Sequence, residues 1–142
     1  MIYQIIKKKL KIYIMNYKKE LIIRSIKIVD IGYITVIYVM LGIILARLCD
    51  KYFGKFDEKK AKKKSIFQHM IELIFLLWFI GVIIYIVRNL VPLIPFPLDG
   101  YYGFKHLKVK ELTSATFFTI SFMYFQVYYQ NKIKYIFSKI NI

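Results

Sequence analysis

Leu112-Thr-Ser-Ala-Thr-Phe-Phe-Thr-Ile-Ser-Phe-Met-Tyr-Phe-Gln-Val-Tyr-Tyr-Gln-Asn131 is a run of 20 residues without a formal charge. A helix rises about 1.5 Å per residue and the hydrocarbon layer of a bilayer is roughly 30 Å thick, so about 20 mainly apolar residues suffice to cross it. Two shorter apolar runs precede this one, over residues 31–46 and 73–87, and each reaches that length once a few flanking residues are added. The expectation is an all-α integral membrane protein with three transmembrane helices, at about 27–48, 67–91 and 112–131.

Composition agrees. The chain of 142 residues is 58% hydrophobic and 18% aromatic, which leaves no room for a soluble domain beside three apolar helices. Its formal net charge is nevertheless +15, from 23 basic against eight acidic residues. The basic residues cluster between the apolar runs, where such clusters meet anionic lipid headgroups. Nucleic-acid contact is the lesser alternative, because no folded reader module fits between the helices. Counting basic residues gives twelve on one side of the membrane and eleven on the other, so charge does not orient the chain.

The first 26 residues read as a basic amphipathic segment on the membrane surface, and 27–142 as the three-span domain. Lys7, Lys8, Lys9 and Lys11 interrupt the apolar start, so no cleavable signal peptide is expected; Met15 offers an alternative start. Lys7, Lys8 and Lys9, and then Lys59, Lys60, Lys62, Lys63 and Lys64 in the first connection, are assigned to lipid headgroups. Cys49 is the single cysteine, so neither an intrachain disulfide nor a cysteine zinc site can form.

Gly42 and Ala46 are spaced so that another helix backbone can approach closely. Pro92, Pro95 and Pro97 end the second span, since proline lacks an amide proton and drives the residue before it into extended geometry. The connection that follows is apolar and aromatic and belongs in the membrane interface. Beyond the third span, Ile133, Ile136, Phe137 and Ile140 repeat at helical spacing against lysines, so the helix should continue along the surface.

Charges cost at least about 2.5–3.5 kcal/mol at a bilayer centre, and here they gather at the span ends. With three antiparallel helices, Asp30, Arg88 and Glu111 share one face, and Arg47, Glu72 and Lys132 the other. The expected interhelix pairs are Asp30 with Arg88 and Arg47 with Glu72; the alternative is that each charge snorkels separately to headgroups. His69 and Glu72 are three apart on one helix, but one such pair is not a metal site. His106 with Glu111 is no stronger. Neither Ser114 nor Ser121 has the glycine elbow or adjacent base of a nucleophile. No cofactor, metal or catalytic residue is expected, and the chain reads as a non-enzyme.

The stretch Tyr85-Ile-Val-Arg-Asn-Leu-Val-Pro-Leu-Ile-Pro-Phe-Pro-Leu-Asp-Gly-Tyr-Tyr-Gly-Phe-Lys-His-Leu-Lys-Val-Lys-Glu111 resembles a segment of small multi-span membrane proteins of nucleocytoplasmic large DNA viruses. The resemblance covers most of residues 27–135, and its specific part is Pro-Phe-Pro-Leu-Asp-Gly with the following Gly-Phe-Lys-His. It implies a structural component of the virion's internal membrane, beneath an icosahedral capsid, and brings no catalytic residues. The partners it implies are capsid or other virion membrane proteins. Pro92, Pro95, Phe96, Pro97, Asp99, Gly100, Tyr101, Tyr102, Phe104 and His106 are the expected docking residues.

The function expected is therefore anchoring or spacing an internal membrane relative to a capsid. One alternative is a small channel or transporter-like oligomer, with the stripe Thr116, Thr119, Met123, Gln126 and Gln130 along the path. Another is an accessory subunit of a membrane enzyme.

Overall fold

In the computed structural model, which describes residues 2–140, the first helix α1 runs without a break over Ile2–Phe53. At about 1.5 Å per residue its 52 residues reach roughly 78 Å. It stops at Gly54, whose φ of +75° a Cβ would resist and whose amide donates to the Asp50 carbonyl at 2.9 Å. No break in the helix separates residues 2–26 from the apolar part. The lysine-bearing start and the first apolar run are one rod.

After the single turn α2 (Glu58–Ala61), the helix α3 occupies Ile66–Leu90. Ser65 and Gln68 form a reciprocal capping box at its start. It ends beside Pro92, as the proline argument requires, and the chain continues through 3-10 turns at Val91–Leu93, Tyr101–Gly103 and His106–Lys108. Then follow α4 (Lys110–Ser114), α5 (Thr116–Phe125) and α6 (Val127–Ile140). There is no strand among the described residues.

The core is a stripe on α1 with a repeat of four: Ile26, Asp30, Ile34, Tyr38, Gly42 and Ala46, ending at Cys49. A row of that spacing is a ridge that packs into a neighbour's groove. The neighbour is α5, which lays Phe118, Ser121 and Phe122 against it. Gly42 is the point of closest approach: a Cβ there would meet the Ser121 side chain and stand 3.1 Å from the Phe122 amide nitrogen. α3 packs on α4 and α6.

The uninterrupted third helix expected over 112–131 is not what forms. Ala115 has φ +52° and Gln126 is extended at φ −83°, ψ 99°. Both breaks have tertiary causes. The Tyr38 hydroxyl donates to the Leu112 carbonyl, the acceptor that the Thr116 amide would use in a continuous helix. Asp50 takes the amides of Val127 and Tyr128 at 2.8 and 2.9 Å, so a new helix begins there. The ten residues of α5 rise only about 15 Å. The tail 132–140 is helical as expected, within α6.

Asp30 and Asp50 mark the two ends of the bundle, 20 residues or about 30 Å apart along α1. The chain passes between these levels three times: in α1, in α3, and in the broken path from His106 to Lys132. α1 and the stretch Ile66–Leu93 are long and apolar enough to cross a membrane, and only 22% and 17% of their most apolar segments are buried. Val36, Met40, Ile44, Ile74, Phe75 and Trp78 all point outward.

Candidate functional site

At the Asp30 end, the aspartate is wholly buried and both its oxygens lie 2.8 Å from Nδ1 of His106. The imidazole is stacked under Phe96 at 5.5 Å, and the His106 amide donates to Asp99 Oδ1 at 2.8 Å. The Tyr33 hydroxyl adds a bond of 3.2 Å to the Pro95 carbonyl. Together these contacts fasten the proline-rich connection to α1. Asp99 and Gly100, whose φ is +83°, start a tight turn closed by the Gly100 amide on the Phe104 carbonyl at 2.8 Å.

The expected Asp30–Arg88 pair is replaced. A fully buried carboxylate needs a partner buried with it, whereas Arg88 is exposed near the end of α3; His106 is carried inward by the connection. The docking residues divide in the same way. Phe96, Phe104 and His106 face inward and serve the fold, while Pro95, Pro97, Asp99, Gly100, Tyr101 and Tyr102 remain exposed and Pro92 is half-buried. Tyr102 holds φ +52°, a left-handed conformation costly for a residue with a Cβ, and its ring meets that of Tyr101 edge-on at 4.8 Å.

At the opposite end, Glu72 accepts from Lys132 at 2.6 Å and from Lys64. Lys132 is only 2% exposed and lies 5.8 Å from the centre of the Tyr128 ring. The hydrogen bond from Lys64 to Glu72 holds that ammonium above its usual range. The expected Arg47–Glu72 pair is thus also replaced: Arg47 points away from the bundle, and both Glu72 oxygens are taken by lysines. Of the charges grouped on this face, Glu72 and Lys132 do meet. His69 is buried beside them and bonds the Ala61 carbonyl through Nε2 at 2.9 Å.

Lys7, Lys8 and Lys9 project from the unpacked start of α1, and Lys59, Lys60, Lys62, Lys63 and Lys64 from the turn around α2; all are exposed. Among the described residues no three His, Cys, Asp or Glu side chains gather as a metal site. His106 is oriented by Asp30 as a catalytic base would be, yet its ring is buried under Phe96 with no neighbouring nucleophile among its hydrogen-bond partners. Gln126 is also fully buried, and neither side-chain polar atom has a hydrogen-bond partner among the described residues.

Sequence reasoning overlooked the Asp50 cap and the Asp30–His106 contact. The signal for the second was present: a lone aspartate early in an apolar helix and a histidine in an apolar loop each demand a partner. Comparison of the chain with family models, with curated proteins and with solved structures returned no match.

Proposed function

We propose that this chain is a non-enzymatic integral membrane protein that anchors or spaces an internal membrane relative to a protein shell, as a minor virion component. One observation carries the membrane part: a belt of outward-facing large apolar side chains on α1 and α3, bounded by charged clusters at the Asp30 and Asp50 levels. In water that belt has no compensating partner; in lipid it needs none. The third crossing is the broken path through α4, α5 and the start of α6. Irregular backbone at membrane depth is tolerated where protein covers it, and Ala115 and Gln126 are both fully buried.

Rigidity supports the spacing role. The connection is pinned by buried side chains and presents Pro95, Pro97, Tyr101 and Tyr102 outward, so it offers a fixed surface to a capsid or membrane-protein neighbour. The free lysines reach for anionic headgroups. The virion setting rests on the resemblance of residues 85–111.

Two experiments test this. Impermeant labelling of single-cysteine variants in sealed vesicles should place Lys62→Cys and Lys139→Cys on one side and Lys105→Cys on the other; Lys139→Cys on the same side as Lys105→Cys contradicts the third crossing, and Lys62→Cys on that side contradicts the second. A photo-crosslinker at Tyr101 should capture a shell or membrane protein in the assembled particle, and particles in which it captures none contradict docking.

A further inference from the structure

Beneath α2, where α1 ends and α3 begins, lies a cavity of about 210 Å³ walled by Lys55, Lys60, Lys64, His69, Glu72 and Lys132. Its lining carries four lysines against two carboxylates, Asp57 and Glu72, an excess of two positive charges. Lys64 and Lys132 are engaged by Glu72, whereas Lys55 and Lys60 form no ion pair among the described residues. His69 donates through Nε2 to the Ala61 carbonyl, because a carbonyl can only accept. That leaves Nδ1 buried, 3.9 Å from Glu72 Oε2 and without a hydrogen-bond partner among the described residues, in a side chain only 4% exposed.

A groove of about 410 Å³ shares Phe53, Lys64, Glu72, Tyr128 and Lys132 with this cavity. Its remaining walls are almost wholly apolar: Phe75, Leu76, Trp78 and Phe79, running along α3 away from the charged end. From Glu72 to Phe79 is seven residues, about 10 Å into the apolar belt. A basic cavity beside an aromatic groove, the two sharing the wall that holds Lys64, Glu72 and Lys132, matches an amphiphile with a negative head and a hydrocarbon tail.

We infer that this pair of cavities binds one anionic phospholipid, its phosphate between Lys55 and Lys60 and one acyl chain along Phe75, Trp78 and Phe79. The inference rests on the membrane reading above and goes beyond general attraction of lysines to headgroups, because it names one site with a defined wall. Lys64 and Lys132, both bound to Glu72, shape the cavity and keep one positive charge between the three groups, while Lys55 and Lys60 are the ammonium groups left to meet a phosphate.

Trp78 is the only tryptophan and stands in the groove, 68% exposed, so it reports occupancy directly. The full chain is placed in phosphatidylcholine nanodiscs containing a minor fraction of chain-brominated phosphatidate or, separately, chain-brominated phosphatidylcholine. Bromine quenches tryptophan on contact, so the expected result is stronger quenching by the phosphatidate at equal mole fraction. The Lys55→Gln/Lys60→Gln variant should lose that excess, with roughly fivefold weaker binding per lysine removed. Lys18→Gln/Lys19→Gln, an equal charge change on the exposed start of α1 at lysines not assigned to headgroups, should keep it.

Equal quenching by both lipids, or equal loss in the two double variants, overturns the site while leaving the membrane reading intact. No quenching by either lipid overturns the membrane reading itself. Relief of the phosphatidate excess by millimolar inorganic phosphate in nanodiscs of wild-type protein overturns the lipid occupant in favour of free phosphate.

Discussion

Asp30 and His106, 76 residues apart in the chain, meet in a wholly buried contact at 2.8 Å that fixes the proline-rich connection to the middle of α1. Removing one member of such a pair strands the other. His106→Ala or Asp30→Ala should therefore each cost about 3–5 kcal/mol, and the double variant less than the sum of the two. Thermal unfolding in detergent with a double-mutant cycle measures this; strictly additive losses contradict the pairing.

Asp50 caps a helix to which it does not belong, holding the amides of Val127 and Tyr128. Asp50→Ala should destabilise by about 0.5–2 kcal/mol and Asp50→Asn by less, since asparagine caps equally well. Hydrogen exchange at Val127 and Tyr128 is the check. The amides should exchange faster in Asp50→Ala, and unchanged protection contradicts the cap.

Gly42 lets α1 and α5 touch. Gly42→Leu should cost about 1–3 kcal/mol through overpacking, and Ser121→Gly should recover part of it in the double variant. A Gly42→Leu protein as stable as wild type contradicts the close crossing at Ser121.

Gln126 buries an amide with no hydrogen-bond partner. Gln126→Met keeps the volume and removes the unpaired polar atoms, so it should raise stability by about 1–3 kcal/mol. Lower stability on this change contradicts the unpaired state of the amide.

At the other end, Glu72 serves two lysines. Glu72→Ala leaves Lys132 buried without its carboxylate and should cost about 3–5 kcal/mol, whereas Lys64→Gln leaves the Glu72–Lys132 pair intact and should cost about 0.2–1 kcal/mol near neutral pH. The Lys64 ammonium is raised above 10.5 by Glu72, so its contribution is whole below that pH and fades as the pH climbs through the raised value. Alkaline melting curves of wild type and Lys64→Gln should converge; a constant offset contradicts the linkage.

Much of the fold was written in the order of residues, because length and apolarity are local properties. The bounds of α3 follow from Ser65 and Pro92, and the use of Gly42 as a contact point from its missing side chain. The pairing of charges was not legible. Helix order puts Asp30 near Arg88, but rotation about each axis decides which side chain turns inward, and His106 arrives from a loop. The breaks at Ala115 and Gln126 were hidden for a related reason. Neither position carries glycine or proline, and each break is imposed from α1, by Tyr38 and by Asp50. The site beneath α2 was half visible: the lysine run announced an anion, while the cavity that confines it depends on how Lys132 and His69 are buried.

The central claim is that lipid surrounds the apolar belt between the levels of Asp30 and Asp50. Nitroxides at Val36, Met40, Ile44, Ile74 and Val82, one at a time in reconstituted bilayers, test it through collisions with oxygen and with a water-soluble nickel chelate. The account predicts high oxygen and low nickel access at all five, with the greatest contrast near Met40 and Val82, midway between the two ends. High nickel access at these positions, in a protein that stays monodisperse without detergent, would contradict it.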